Sequence, residues 1–283
     1  MHIPSEIKRI AEETGVSKAG LSLKRTMILS ILAGVFIAFG AVFSTLVTSG
    51  SELSFGVNRL LGGVSFSLGL ILVVVGGAEL FTGNNLMIIP WASKKISFNQ
   101  VLRNWSLVYL GNFAGALLVA MMILWSGHYL LANGVIAKHM LEIASKKCEL
   151  GFVEALTRGI LCNMLVCLAI WLSYSTRSFT GKVLAILFPI TAFVAAGFEH
   201  SVANMYFVPV AILVKNLGDP QLWEMIQTGS SQFSSITWGN FFIGNLLPVS
   251  IGNIIGGSLF VGLAYWHAYG QINDPSSTNI SVP

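Results

Sequence analysis

Charge is what this chain lacks most. Only 10% of its 283 residues are Asp, Glu, Lys or Arg, against about 25% in a soluble domain. So few solvated side chains exclude a domain surrounded by water on every side. The net charge of +4 is scattered along the flanks of apolar runs and gives no surface for nucleic acid. Cysteine is scarce as well. Cys148, Cys162 and Cys167 form no CxxC pair, so neither a disulfide framework nor a thiolate metal site is expected. No paired His or Asp motif supplies a metal set, and no cofactor is implied. Residues 1–26 carry Lys8, Arg9, Lys18, Lys24 and Arg25 but no apolar core, so no cleaved signal peptide is expected.

Apolar residues are abundant, at 54%. Uncharged runs cover 27–49, 104–126, 159–174 and 238–266, each near the ~20 residues a helix needs to cross a bilayer. Two further runs, 60–93 and 183–214, are too long for one straight span and too short for two spans with a turn. A helix that breaks near the membrane centre fits both. Six passages follow, with both termini on one side.

Lys and Arg set the orientation. With the N-terminus inside, the cytoplasmic flanks hold the five basic residues above plus Lys94, Lys95, Arg103, Arg177 and Lys182. The outer flanks hold Arg59, Lys138, Lys146, Lys147, Arg158 and Lys215. The bias favours cytoplasmic termini. Ile3, Ile7 and Ile10 fall on one helical face of a segment otherwise covered by Glu6, Lys8, Arg9, Glu12 and Glu13. Residues 1–26 therefore form an amphipathic surface segment, 27–268 a six-helix membrane domain, and 269–283 a flexible tail.

One pattern occurs twice. Glu79-Leu80-Phe81-Thr82-Gly83-Asn84-Asn85 interrupts the first long run and Glu199-His200-Ser201-Val202-Ala203-Asn204 the second. In the next span of each half lies a second pair, Gly111-Asn112-Phe113-Ala114-Gly115 and Gly252-Asn253-Ile254-Ile255-Gly256. Matching interruptions in two halves of a membrane protein point to an internal repeat with the permeation site where the repeats meet. The small-xxx-small spacing allows close helix contact, while the buried Asn112 and Asn253 need polar partners.

His200 is the sharpest candidate, an ionisable side chain deep in an apolar run and at a predicted break. Glu79 and Glu199 are expected to bind the freed N–H groups of the interrupted helices, and Glu199 also to orient His200. Thr82 offers a hydroxyl beside a compact loop whose N–H groups can meet an anion. Phe66, Leu70, Leu80, Phe81 and Phe193 flank the breaks and, if convergent, make constrictions that exclude hydrated ions. An intramembrane enzyme using His200 and Glu199 lacks a nucleophile, since Ser201 beside His200 points elsewhere on a helix.

Gly77-Ala78-Glu79-Leu80-Phe81-Thr82, Gly159-Ile160-Leu161-Cys162-Asn163, Gly197-Phe198-Glu199-His200-Ser201-Val202-Ala203-Asn204-Met205 and Gly252-Asn253-Ile254-Ile255-Gly256-Gly257 resemble the formate/nitrite transporter family. The resemblance spans about residues 25–268, and the second half is most similar to the bacterial formate-channel branch. It implies an all-α homopentamer of aquaporin-like protomers, each with six transmembrane helices, an inverted repeat and two broken helices. It implies Thr82 facing His200, Asn163 and Asn253 beside the pore, and Lys147 in a vestibule. The constrictions match Leu70 and Phe193, with Phe66, Leu80, Phe81 and Val166 nearby. The implied solute is formate, with nitrite or hydrosulfide as alternatives, and the implied place is the bacterial inner membrane. A cytoplasmic formate-producing enzyme is the implied partner of residues 1–26.

Overall fold

The computed structural model describes residues 1–270; the expected tail, 269–283, lies almost wholly outside them. A docked helix α1 (Pro4–Ala19) precedes six helices long and apolar enough to cross a membrane. These are α2 (Leu23–Thr48), α3 (Phe55–Gly76), α6 (Phe98–Trp125), α8 (Phe152–Ser173), α9 (Phe179–Ala196) and α11 (Asn240–Tyr269). The shorter α4 (Phe81–Asn84) and α5 (Ile88–Ala92) follow α3, α7 (Val135–Cys148) precedes α8, and α10 (Ser201–Leu217) follows α9. The expected six passages are present, and both long runs break.

Both breaks use one stop signal. Gly77 (φ +74°) ends α3 and Gly197 (φ +77°) ends α9. Glycine tolerates this left-handed turn, which lets Ala78 N donate to Val73 O at 2.9 Å and Phe198 N to Phe193 O at 3.1 Å. The chain then runs extended to Leu80 and His200, where the next half-helices begin.

The paired GNxxG motifs pack as their spacing implies. A methyl added at Gly115 would lie 2.0 Å from Ile31 O of α2, and one at Gly256 would lie 2.2 Å from Ile160 O of α8. The helices touch backbone to backbone, and no larger residue fits.

α1 differs from the amphipathic helix expected. Ile3 is 60% exposed, and the buried face is Ile7, Lys8, Ala11, Glu12, Gly15 and Ala19. A charged pair is part of that face because both members find partners. Glu12 accepts from Lys8 at 2.8 Å, from Lys95 at 2.6 Å and from the Ser93 hydroxyl. Gly15 rests on Pro90.

Burial acts to raise the Glu12 pKa, but the hydrogen bonds from Lys8, Lys95 and Ser93 outweigh it and hold the carboxyl below its ordinary value. A depressed carboxyl contributes stability above its unfolded pKa and loses it as pH falls through the folded one. Docking of α1 should therefore loosen in acid, below the ordinary glutamate range. Pepsin cleavage within 4–19 should rise steeply there. Glu12→Gln should already be cleaved faster at the upper end of the pepsin range and show a flatter pH response.

Candidate functional site

Each half-helix is held at its break by one asparagine from the next span. Asn112 accepts Phe81 N through Oδ1 at 2.9 Å and donates from Nδ2 to Ser30 O at 2.8 Å and Glu79 O at 2.9 Å. Asn253 accepts Ser201 N at 2.9 Å and donates to Gly159 O at 2.8 Å and Glu199 O at 3.0 Å. The symmetry extends to Glu79 N donating to Leu29 O and Glu199 N to Arg158 O. The freed backbone groups thus belong to Asn112 and Asn253. This corrects the expectation that Glu79 and Glu199 would bind them.

The carboxylates do something else. Glu79 takes Lys18 Nζ at 2.8 Å and Asn84 Nδ2 at 2.7 Å, and Asn84 also donates to Asn104 Oδ1 at 2.8 Å. Glu199 takes Lys147 Nζ at 2.9 Å and Asn204 Nδ2 at 2.6 Å, and Asn204 donates to Asn245 Oδ1 at 2.7 Å. Each break therefore carries a Lys–Glu–Asn–Asn cluster. Such pairing makes buried ions tolerable.

His200 lies where the repeats meet. It caps α10, its Nδ1 accepting Ala203 N–H at 3.0 Å, and its Nε2 is 2.9 Å from Thr82 Oγ1. Because Nδ1 is an acceptor, the neutral ring carries its proton on Nε2 and donates it to Thr82. The Thr82 hydroxyl hydrogen is then free to point elsewhere. Asn163 ties the breaks together, with Nδ2 2.7 Å from Asn85 Oδ1, 3.2 Å from Thr82 O and 2.6 Å from Asn253 O.

Two cavities approach this centre. One, of about 260 Å³, is lined by Lys147, Arg59, Arg158, His139 and Glu199 and floored by Phe66, Phe193, Phe207 and His200. The other, of about 500 Å³, is lined by Lys18, Arg25, Glu79, Leu80 and Val73. They are called here the Lys147 and Lys18 vestibules. Phe66 meets Phe193 edge-on with ring centres 5.7 Å apart and stacks on Phe207 at 6.4 Å. Phe193 also stacks on the His200 ring at 5.8 Å.

Leu70 and Val166 are buried and line neither vestibule. Leu70 sits on α3 between Phe66, which lines one vestibule, and Val73, which lines the other. At ~1.5 Å per residue the closed apolar stretch is about 10 Å long. Val166 has the same station on α8, between Arg158 and Ile170. Phe81 packs edge-on against Trp105 and Tyr109, with ring centres 6.4 and 4.8 Å away.

A model of the family described as "Formate/nitrite transporter" matches residues 5–267. The chain belongs to the formate/nitrite transporter family. It is 45% identical over 273 residues to "Formate channel FocA" of Escherichia coli K12, covering 96% of each chain. It is 37% identical to "Formate channel BtFdhC" of Bacillus thuringiensis, over 95% of this chain and 96% of the relative. Among solved structures it superimposes on a "Pentameric formate channel with formate bound" at a TM-score of 0.84 and 40% identity, covering 88% of this chain and 98% of that one.

Within this formate/nitrite transporter, the sequence reading missed Lys18, Asn104, Asn245 and Phe207, and it quoted Asn84 and Asn204 in the repeated motif without seeing that they bind the break glutamates. Asn84 and Asn204 each stand five residues after the break glutamate, and Asn104 and Asn245 each stand eight residues before the asparagine of GNxxG. That recurrence was a readable signal. Lys18 had none, because its partner is 61 residues away.

Proposed function

We propose that the protein carries formate across the bacterial inner membrane, through one narrow pore in each protomer of a homopentamer, with both termini in the cytoplasm. The observation that carries this reading is the Thr82–His200 hydrogen bond at the inner end of a cationic vestibule, beside a closed apolar stretch. The formate channels among its relatives support the solute, and the pentameric neighbour supports the assembly. The excess of Lys and Arg on the Lys18 side supports the orientation. The solute leaves chemically unchanged, so the protein is a transporter and not an enzyme.

Formate would gather in the Lys147 vestibule and lose water at Phe66, Phe193 and Phe207. A bare anion in hydrocarbon is prohibitively costly. The Thr82 hydroxyl and the His200 Nε2–H, aided by the half-helix N-termini, would replace its hydration. For His200 to give up a proton, Nδ1 must first take one from a hydronium ion in the Lys147 vestibule, which leaves as water, and release the Ala203 N–H. Nε2–H then breaks, an O–H bond forms on formate, and neutral formic acid crosses the stretch at Leu70, Val166 and Leu80. Net direction follows the formate and proton gradients. The exposed face of α1, with Arg9 and Glu13, is the surface for a cytoplasmic formate-producing enzyme.

Purified protein in liposomes should pass formate rapidly and faster as external pH falls. Flux of nitrite or hydrosulfide with little formate would keep the fold and overturn the solute.

A further inference from the structure

We propose that Arg59 and Arg158 turn the carboxyl end of α9 from an anion-repelling rim into an anion-accepting one, which makes Arg59 a selectivity residue of the Lys147 vestibule. The inference rests on the reading that a small anion enters there.

α9 ends beside the constriction. Phe193 is in its last turn, and Val194 and Gly197 line the vestibule with it. The last carbonyls of a helix carry roughly half an electronic charge between them. Left bare, they would face an anion at the point where it must shed water. The Schellman turn at Gly197 occupies Phe193 O and Val194 O. Ala195 O needs another donor.

Arg59 reaches it from α3. Its Nε donates to Ala195 O at 2.9 Å and its Nη2 to Val194 O at 2.6 Å. Arg158 adds a longer contact, Nη1 to Gly197 O at 3.4 Å. Two guanidinium groups therefore cover three carbonyls of the rim, those of Val194, Ala195 and Gly197.

Lys146 also lines the vestibule and has no carboxylate partner among the described residues, but it caps no carbonyl of the α9 end. The other two cations are less able to do this. Lys147 is bound by both oxygens of Glu199, at 2.9 and 3.0 Å. Arg158 is paired with Glu154. Arg59 bonds to neutral carbonyls and is paired with no carboxylate among the described residues. Its full charge remains available to the cavity, where low-dielectric walls focus the field.

Charge and stapling can be separated at this position. Lysine keeps the charge but loses the planar fork that holds two carbonyls at once. Glutamine can still cap one carbonyl but carries no charge. Flux would be measured in liposomes of the full-length protein at low ionic strength, with formate from well below to well above half-saturation. Arg59→Gln should lower formate flux about fivefold at sub-saturating formate, and the loss should shrink at saturation or in high salt. Arg59→Lys should keep at least about half of the wild-type flux.

The proposal falls if Arg59→Gln matches the wild type at low formate and low salt. It falls equally if both variants lose the same fraction of flux at every concentration, which would make Arg59 a packing staple. Should the wild type carry no formate, the solute reading fails separately. The same two variants are then compared with nitrite, where a fivefold loss confined to Arg59→Gln supports the rim and its absence overturns it.

Discussion

Replacing His200 by Asn or Gln is expected to lower formate flux at least about tenfold and to flatten its pH dependence. The expectation follows from what surrounds the ring. Thr82 and His200 are joined by a 2.9 Å hydrogen bond. Phe193 is stacked on one face of the ring. Leu70 and Val166 are buried in the apolar stretch beyond. A hydrogen bond to a charged group contributes about 1.5–3 kcal/mol. At 1.36 kcal/mol per factor of ten, loss of one donor at the barrier slows passage roughly 10- to 150-fold.

Asn and Gln lose the imidazole donor at its present position beside Thr82, and their amide can replace only part of the anion stabilisation. Neither can take up a proton and pass it on. A variant with reduced rate but unchanged pH response would mean that His200 only stabilises charge. One with both rate and pH response unchanged would remove His200 from the mechanism. Thr82→Ser should keep most of the flux, and Thr82→Val should lose it to a similar degree as His200→Gln. Val preserves the shape but offers no hydroxyl to the ring or the anion.

Much of this architecture was legible because membrane physics leaves few choices. A run such as 60–93 with one carboxylate in its middle can only be a broken helix, and the structure breaks it at Gly77. The repeated Glu and the repeated GNxxG motif located both breaks and the spans that support them. The residues alone singled out His200 and Thr82 separately, one as a costly ionisable group and the other as a loop hydroxyl, and it was the family resemblance that implied they face each other. Their 2.9 Å contact joins positions 118 residues apart, which no local pattern displays.

The errors have the same origin. Glu79 and Glu199 were read against the nearest unsatisfied groups, the backbone N–H donors of their own breaks. Their actual partners, Lys18 and Lys147, arrive from helices that lie 61 and 52 residues upstream. α1 was read from its isoleucines, whereas docking buries Lys8 and Glu12 because Lys95 and Ser93 wait on the other surface. Phe207 is one of 18 phenylalanines, and only its place in the vestibule, stacked on Phe66 with Lys147 Nζ 5.4 Å from its ring centre, sets it apart.

The largest effect on folding is expected at Asn253. Its amide satisfies three backbone groups at once: Ser201 N, Gly159 O and Glu199 O. All lie where water is excluded, and Asn253 itself is fully buried. Asn253→Leu keeps the approximate volume but leaves all three unpaired, at about 1–3 kcal/mol each. The sum, at least about 3 kcal/mol, is a large part of a stability of 5–15 kcal/mol. It also falls on the segment that holds His200, so the half-helices would lose their fixed approach. Detergent extracts should then show little monodisperse oligomer by size exclusion, and what survives should melt well below the wild type. Asn253→Asp keeps an acceptor for Ser201 N and loses two donors, so it should fall between. Asn112→Leu should repeat the result in the first half, since Asn112 makes the corresponding three bonds. A wild-type elution profile and melting temperature for both leucine variants would show that the breaks are held by something other than these two amides.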